Sequence, residues 1–258
     1  MHISCIERVL IATRSLEDSR QQWARAGFAL TPNQSELGGV RFTGLAAGAI
    51  EIDLCVSAGG LAAPLAAAVA KAAARGGGII GWTWGVAAGE RPPDAPIQLP
   101  GVEASALPQG LSGVFTAALE VTADQNVRSR GHRETFGTNP NTVEFLEHIV
   151  VMAPALDDAI ATQEALGIPC KRIREVGNGT RQAFFKLERT VIEVVGPTRD
   201  RAGCWGLAFM CGDIARAVAV VRENGLAVTE PKTAVQGGRI ARIVDPIDGV
   251  SVAFMQAP

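Results

Sequence analysis

The 258-residue chain has no excess of positive charge, no paired-cysteine motif and no long apolar run. Its 24 Lys and Arg stand against 26 Asp and Glu, a formal net charge of -2. There is thus no basic field for nucleic acid or anionic lipid. The five cysteines, Cys5, Cys55, Cys170, Cys204 and Cys211, are odd in number and form no C-x-x-C pair. That pattern points to reduced thiols and not to a disulfide framework or a zinc knuckle. Nowhere do about 18 apolar residues run together, and Met1 to Arg8 lacks the charged head and apolar middle of a signal peptide. Membrane spanning and secretion are not expected, the expected compartment is the cytoplasm, and Asn178-Gly179-Thr180 reads as a turn instead of a glycosylation site. No G-x-S-x-G elbow is present. Gly76-Gly77-Gly78 precedes a strand pattern and is followed by no lysine and serine or threonine pair, so it reads as a hinge and not as a phosphate loop. A small molecule is the expected partner.

What the chain does have is repetition. The run Leu146-Glu147-His148-Ile149-Val150-Val151-Met152, followed by Ala155-Leu156-Asp157-Asp158-Ala159, has two counterparts. They are Ile6-Glu7-Arg8-Val9-Leu10-Ile11-Ala12 before Ser15-Leu16-Glu17-Asp18-Ser19, and Trp205-Gly206-Leu207-Ala208-Phe209-Met210 before Asp213-Ile214-Ala215-Arg216-Ala217. Each is an apolar run of strand length that leads into a helix at 3.6-residue spacing. Gly27, Gly167 and Gly225 are placed to end those helices. Short strand patterns with tight turns follow, among them Ala227 to Thr229 in the last unit, so the unit is β-α-β-β-β. A fourth copy between Gly59 and Asn141 is blurred: helix Leu61 to Ala74, strand Ile79 to Val86 and strand Val114 to Val121 survive, while the proline-rich stretch Arg91 to Pro96 takes the place of the unit's own helix. The expected class is α+β, with units pairing into curved, mostly antiparallel sheets around a cleft. The expected division is an N-terminal half over 1–127 (units 3–57 and 60–122), a polar linker over 128–143, and a C-terminal half over 144–258 (units 144–197 and 203–256).

Repeated β-α-β-β-β units, with Glu147-His148 on a first strand and Ile192-Glu193-Val194-Val195 on a last strand about 45 residues later, resemble the vicinal oxygen chelate superfamily. Glyoxalase I, extradiol dioxygenases, acyl-CoA epimerases and bleomycin resistance proteins belong to it. The ending Asp245-Pro246-Ile247-Asp248-Gly249 through Gln256 resembles the family's typical last turn and strand, although Ala253 stands where a glutamate is frequent. The resemblance implies a first-strand and a last-strand metal ligand per unit. Carried over, these are His148 and Glu193 in the third unit, Gly206 and Ala253 in the fourth, and Arg8 and Glu51 in the first. Only the third pair consists of metal donors, suited to Zn, Ni, Mn or Fe.

Three readings follow. In one, His148 and Glu193 hold a divalent metal and act on an α-hydroxy or α-keto compound as a lyase or isomerase, with ring-cleaving dioxygenation ranked lower because two histidines and a carboxylate would be needed. In another, the protein is a metal-free binder of the bleomycin-resistance sort. In the third, Glu193 is a base without a metal. Arg8, Glu51, Trp84, Phe184 and Lys186 are the candidate substrate contacts, with core packing the competing role for Trp84 and Phe184. A homodimer is compatible with the resemblance.

Overall fold

The computed structural model describes the chain apart from residues 60–63, 93–95, 108–110, 122–123, 200 and 236. The N-terminal half contains β1 (Ile3–Ala12), α1 (Leu16–Arg25), β2 (Ser35–Leu37), β3 (Val40–Ala47), β4 (Ile50–Ser57), α2 (Pro64–Ala73), β5 (Gly78–Val86), β6 (Pro96–Leu99), β7 (Val102–Ala106) and β8 (Phe115–Glu120). Helix α3 (Gln125–Phe136) leads to β9 (Val143–Met152), α4 (Leu156–Ala165), β10 (Arg172–Gly177), β11 (Thr180–Leu187) and β12 (Thr190–Gly196). The last unit is β13 (Gly203–Cys211), α5 (Ile214–Glu223), β14 (Lys232–Thr233), β15 (Arg239–Arg242) and β16 (Ser251–Gln256). The starts of the repeated helices are dictated locally. Ser15 and Asp213 accept from the backbone N–H three residues on, satisfying a donor that has no partner inside the helix. Their stops are Gly27, Gly167 and Gly225, all at positive φ as expected.

Each half is one curved eight-stranded sheet, in the orders β2-β3-β4-β1-β5-β8-β7-β6 and β10-β11-β12-β9-β13-β16-β15-β14. Sequential units therefore pair. The two first strands of a half lie side by side and antiparallel, and each first strand also runs parallel to the last strand of its own unit. Two sequence expectations need amendment. The polar stretch expected as a linker contains helix α3, N-capped by Asp124 and tied to both halves through Arg128, which pairs with Glu7 and Glu188. A strand expected over 227–229 is reduced to a bridge between Val228 and Ile243. The start of the expected Leu61 to Ala74 helix and the middle of the Arg91 to Pro96 stretch lie outside the described residues.

Strand alternation gives each sheet two faces. One face of both sheets enters a single core that includes Trp23, Trp82, Trp84, Leu146, Ile149, Phe209 and Phe254. There Phe28, just after α1, meets Phe209 edge-on at 4.9 Å, which locks the halves together. The polar anchor of the same junction is Asp248, which accepts from Trp23 Nε1 at 3.0 Å, Ser19 Oγ at 2.7 Å and Thr13 Oγ1 at 2.8 Å. The other, concave faces are treated differently. In the N-terminal sheet α2 lies in the concavity, with Leu65, Ala66 and Val69 packed among Leu10, Phe42, Cys55, Ile80 and Leu119. No helix joins the C-terminal units, because Gly196 is followed within seven residues by Gly203. That concavity stays open.

Asp248→Ala leaves Trp23 Nε1 without its acceptor and takes one partner each from Thr13 and Ser19, whose hydroxyls also face each other. It is expected to cost about 2 kcal/mol in urea unfolding, since a buried donor left unsatisfied costs roughly 1–3 kcal/mol. A loss below about 1 kcal/mol would show that this junction does not hold the halves together.

Candidate functional site

The open concave face encloses a cavity of about 970 Å³ whose walls include Glu147, His148, Gln182, Phe184, Glu193 and Arg242. Beside it lies a smaller cavity of about 340 Å³, lined by Lys171, Arg172, Lys186 and Val191 and sharing Glu147, His148 and Phe184 with the larger one. The floor is apolar, with Val150, Met152, Val195, Met210 and Met255. The sheet register fixes the relative positions. His148 pairs with Val191 and Val150 with Glu193 across the parallel β9 and β12 strands, so His148 and Glu193 share a face and are offset by two residues, roughly 7 Å along the strand direction.

A β-bulge explains why Glu147 and His148 both reach the cavity. Neighbouring residues of a regular strand point to opposite faces, but the pairing of β9 with β13 steps from His148 opposite Ala208 to Leu146 opposite Phe209, leaving Glu147 as the extra residue. The same step occurs in every unit. Glu7 precedes Arg8, Ile80 precedes Gly81 and Trp205 precedes Gly206, each as the extra residue of a register shift. Arg8, Gly81, His148 and Gly206 are therefore equivalent, and their parallel partners are Glu51, Phe115, Val191 and Ser251. Two residues further along the last strands stand Asp53, Ala117, Glu193 and Ala253. The N-terminal equivalent of Glu193 is thus Asp53 and not Glu51, a two-residue correction to the expected correspondence.

Burial sets the protonation of the cavity groups. Glu193 donates nothing and accepts from Gln182 Nε2 at 2.6 Å; its pKa is raised by burial, with the Arg174 cation opposing. His148 is pushed down to about 4, first by burial and then by the Lys186 ammonium. Glu147 Oε2 abuts His148 Nδ1, yet neither atom has a hydrogen bond. At neutral pH the site therefore presents a neutral imidazole next to a carboxyl of elevated pKa.

Other expected contacts lie elsewhere. Arg8 and Glu51 sit on the concave face of the N-terminal sheet, where Arg8 binds Glu51 at 2.8 Å, Asp53 at 2.9 Å and the Pro100 carbonyl at 2.9 Å. Burial and Asp53 raise Glu51 to about 7, against the pull of Arg8. Trp84 is fully buried on the core face, edge-on to Trp82 at 5.3 Å, and does not line the cavity. Of the expected contacts, Phe184 and Lys186 join His148 and Glu193 at the open site. Glu147, Gln182, Arg172 and Arg242 were not anticipated. Gln182 and Arg172 were within reach of strand parity with Phe184 and Lys186, whereas Glu147 depends on a bulge that residue types do not announce.

No protein-family model and no curated protein sequence matches the chain. Solved structures do match it over 99% of its length. One is a mutant of 4-hydroxymandelate synthase from Streptomyces coelicolor, with TM-score 0.70 and 14% identity over 93% of that chain. Another is a xylose isomerase-like TIM barrel/4-hydroxyphenylpyruvate dioxygenase fusion protein, with TM-score 0.67 and 16% identity, of which this chain spans 49%. The chain has the vicinal oxygen chelate fold. The expected first-strand and last-strand positions of the C-terminal sheet, His148, Glu193, Gly206 and Ala253, carry only two donors, His148 and Glu193. Among the described residues no group of three or more His, Cys, Asp or Glu side chains could hold a metal ion, whereas a resident centre takes three or four. The gap at Gly206 is steric as well as chemical. A Cβ there would lie 2.6 Å from the Ser251 carbonyl oxygen and 2.9 Å from its Cβ. The residues present do not fit a resident metal.

Gly206→Ala is expected to lower stability by about 2 kcal/mol through this overlap, read by urea unfolding; a neutral result would show that the strands can part there. A second expectation concerns pH. Between pH 6.5 and about 4 the unfolded chain protonates His148 while the folded one resists. Stability therefore falls as pH is lowered through that window, by up to about 3 kcal/mol. His148→Gln should remove that part of the slope. If Glu147 instead holds His148 as a cation, the variant will show a steeper acid loss than the parent.

Proposed function

We propose that the C-terminal cavity is the active site of a small-molecule enzyme that moves a proton on an α-hydroxy or α-keto compound, as an isomerase or lyase. The observation that carries this reading is the pairing, within one open cavity, of a buried carboxyl with raised pKa and a neutral imidazole on adjacent strands. A carboxyl raised toward neutral pH is a better matched general base than one at its ordinary value. Gln182 fixes its orientation. Glu193 would take the proton from the carbon beside the carbonyl, and His148 would donate a hydrogen bond to the carbonyl oxygen as negative charge develops on it. The apolar floor lowers the local dielectric and strengthens both interactions. No metal enters this scheme, because the donor set falls short. Ring-cleaving dioxygenation is disfavoured by the same count, since His148 is the one histidine lining the cavity.

The same cavity would serve a binding protein of the bleomycin-resistance type, and isotope exchange separates the two. A panel of α-keto and α-hydroxy carbonyl compounds in D2O, followed by proton NMR, should reveal loss of an α-hydrogen that Glu193→Gln slows by about 100-fold or more. The rate should rise with pH through the raised Glu193 pKa, since the base acts deprotonated, and a chelator should leave it unchanged. Exchange indifferent to Glu193→Gln would remove that carboxyl from the chemistry. Saturable binding without exchange would favour the binder.

A further inference from the structure

The smaller cavity is not needed for the proton transfer just described, and its composition is unlike that of the larger one. Lys171, Arg172 and Lys186 line it, and among the described residues none of the three pairs with a carboxylate. Elsewhere in the chain arginines near acids are paired, as in Arg181 with Asp157, Arg222 with Glu230 and Arg91 with Glu103. The three cations are also brought together by the sheet. Arg172 lies opposite Phe184 in the β10 and β11 register, Lys186 is two residues from Phe184 on the same face, and the Lys171 N–H donates to the Phe184 carbonyl at 2.8 Å. Arg172 is further held over the Phe184 ring, 5.8 Å from its centroid. The anionic side chain of this wall is Glu147, which faces His148 instead.

We propose that the smaller cavity is an oxyanion subsite that holds a carboxylate or phosphate group of the substrate, with Arg172 and Lys186 as its principal donors. Three converging cations, none of them paired with a carboxylate among the described residues, repel one another, and an oxyanion between them relieves the repulsion while accepting charge-assisted hydrogen bonds. Arg172 supplies a planar fork and the lysines supply point charges. The shared wall of His148 and Phe184 means that an anion seated there leaves the rest of the molecule pointing into the larger cavity, past the imidazole. Lys186 already acts on that imidazole through its field. An anion in the subsite would offset this second cause and raise His148 part of the way, burial being the first. The assignment rests on the active-site reading only for what the bound group belongs to; the subsite itself is a property of the smaller cavity.

Binding of inorganic phosphate and of acetate to the intact protein, followed through the His148 imidazole resonances by NMR, tests it. Saturable shifts with at least one of the two probes are expected, together with an upward displacement of the His148 titration in its presence. The preferred probe identifies the substrate group as phosphate or carboxylate. Arg172→Gln with Lys186→Gln should weaken that binding about tenfold or more, while Glu193→Gln should leave it in place. Both substituted cations are exposed on the surface, so the folded state is retained, and unchanged amide spectra away from the site would verify that. Absence of saturable shifts with both probes, or equal affinity in the double variant, overturns the subsite. Because Glu193-dependent isotope exchange is read separately, loss of one result with retention of the other shows which of the two assignments has failed.

Discussion

One constraint organises this molecule: a curved sheet has two faces, and only one of them can be buried against the other half. Both sheets give their core faces to a common interior that runs through Trp23, Phe28, Phe209 and Phe254. Each is then left with a concave face that must either be filled or be wetted. The connector between units decides which. Between β4 and β5 the chain is long enough for α2, whose Leu65 and Val69 turn the N-terminal concavity into a second small core. Between β12 and β13 it is too short for any helix, and the C-terminal concavity remains a cavity. Repetition of the unit thus leaves one concavity filled by α2 and the other open.

The same logic explains what became of the four equivalent bulge positions. A bulge re-aims a side chain into the concavity whatever the residue is. Where the concavity is filled, an ionisable group must bring its own partners, and Arg8 does so through Glu51, Asp53 and a backbone carbonyl. At Gly81 the Phe115 carbonyl approaches so closely that any Cβ is excluded, and at Gly206 the Ser251 carbonyl does nearly the same. His148 meets no steric bar and has the adjacent Glu147 as its carboxylate neighbour, while its ring still lines the open cavity. Its availability is what remains after the other three positions are accounted for.

Much of this architecture is legible in the residues because periodicity and punctuation are local. Helices α1, α4 and α5 begin and end where their apolar spacing and closing glycines require, with side-chain caps at α1 and α5, and the first and last strands of the three clear units follow from alternation. The companionship of His148 and Glu193 is legible through the resemblance to the vicinal oxygen chelate pattern, and the parallel register of β9 and β12 sets the two on one face. Three things are not. Trp84 has the composition of a binding wall, but which face of a strand meets the core depends on the partner sheet. Helix α3 looks polar all round, and it forms because Arg128 bridges Glu7 in one half and Glu188 in the other, contacts more than 50 residues apart in sequence. Glu147 points with His148 only because of an extra residue in the pairing, which is a property of two strands and not of one.

The electrostatics of the open site follow from the same geometry. A neutral His148 is stable where it is because the sheet buries it and because Lys186 stands on the neighbouring row; protonating it would add a charge to a wall that already carries Lys171, Arg172 and Lys186. Glu193 faces the opposite situation, since burial outweighs the attraction of the Arg174 cation. Two groups that would neutralise each other in water are thereby kept apart in state, one imidazole without its proton and one carboxyl inclined to keep its own. Such a division requires that the fourth unit, which lines the cavity with Arg242 and Lys232, place no acid at its centre, for an acid at Ala253 would pair with His148 or draw a cation across the cavity. The small residues Gly206, Ala208 and Ala253 are therefore as much a part of the site's chemistry as the two side chains that titrate: they keep its centre apolar and leave the cations at its edge for something that comes from outside.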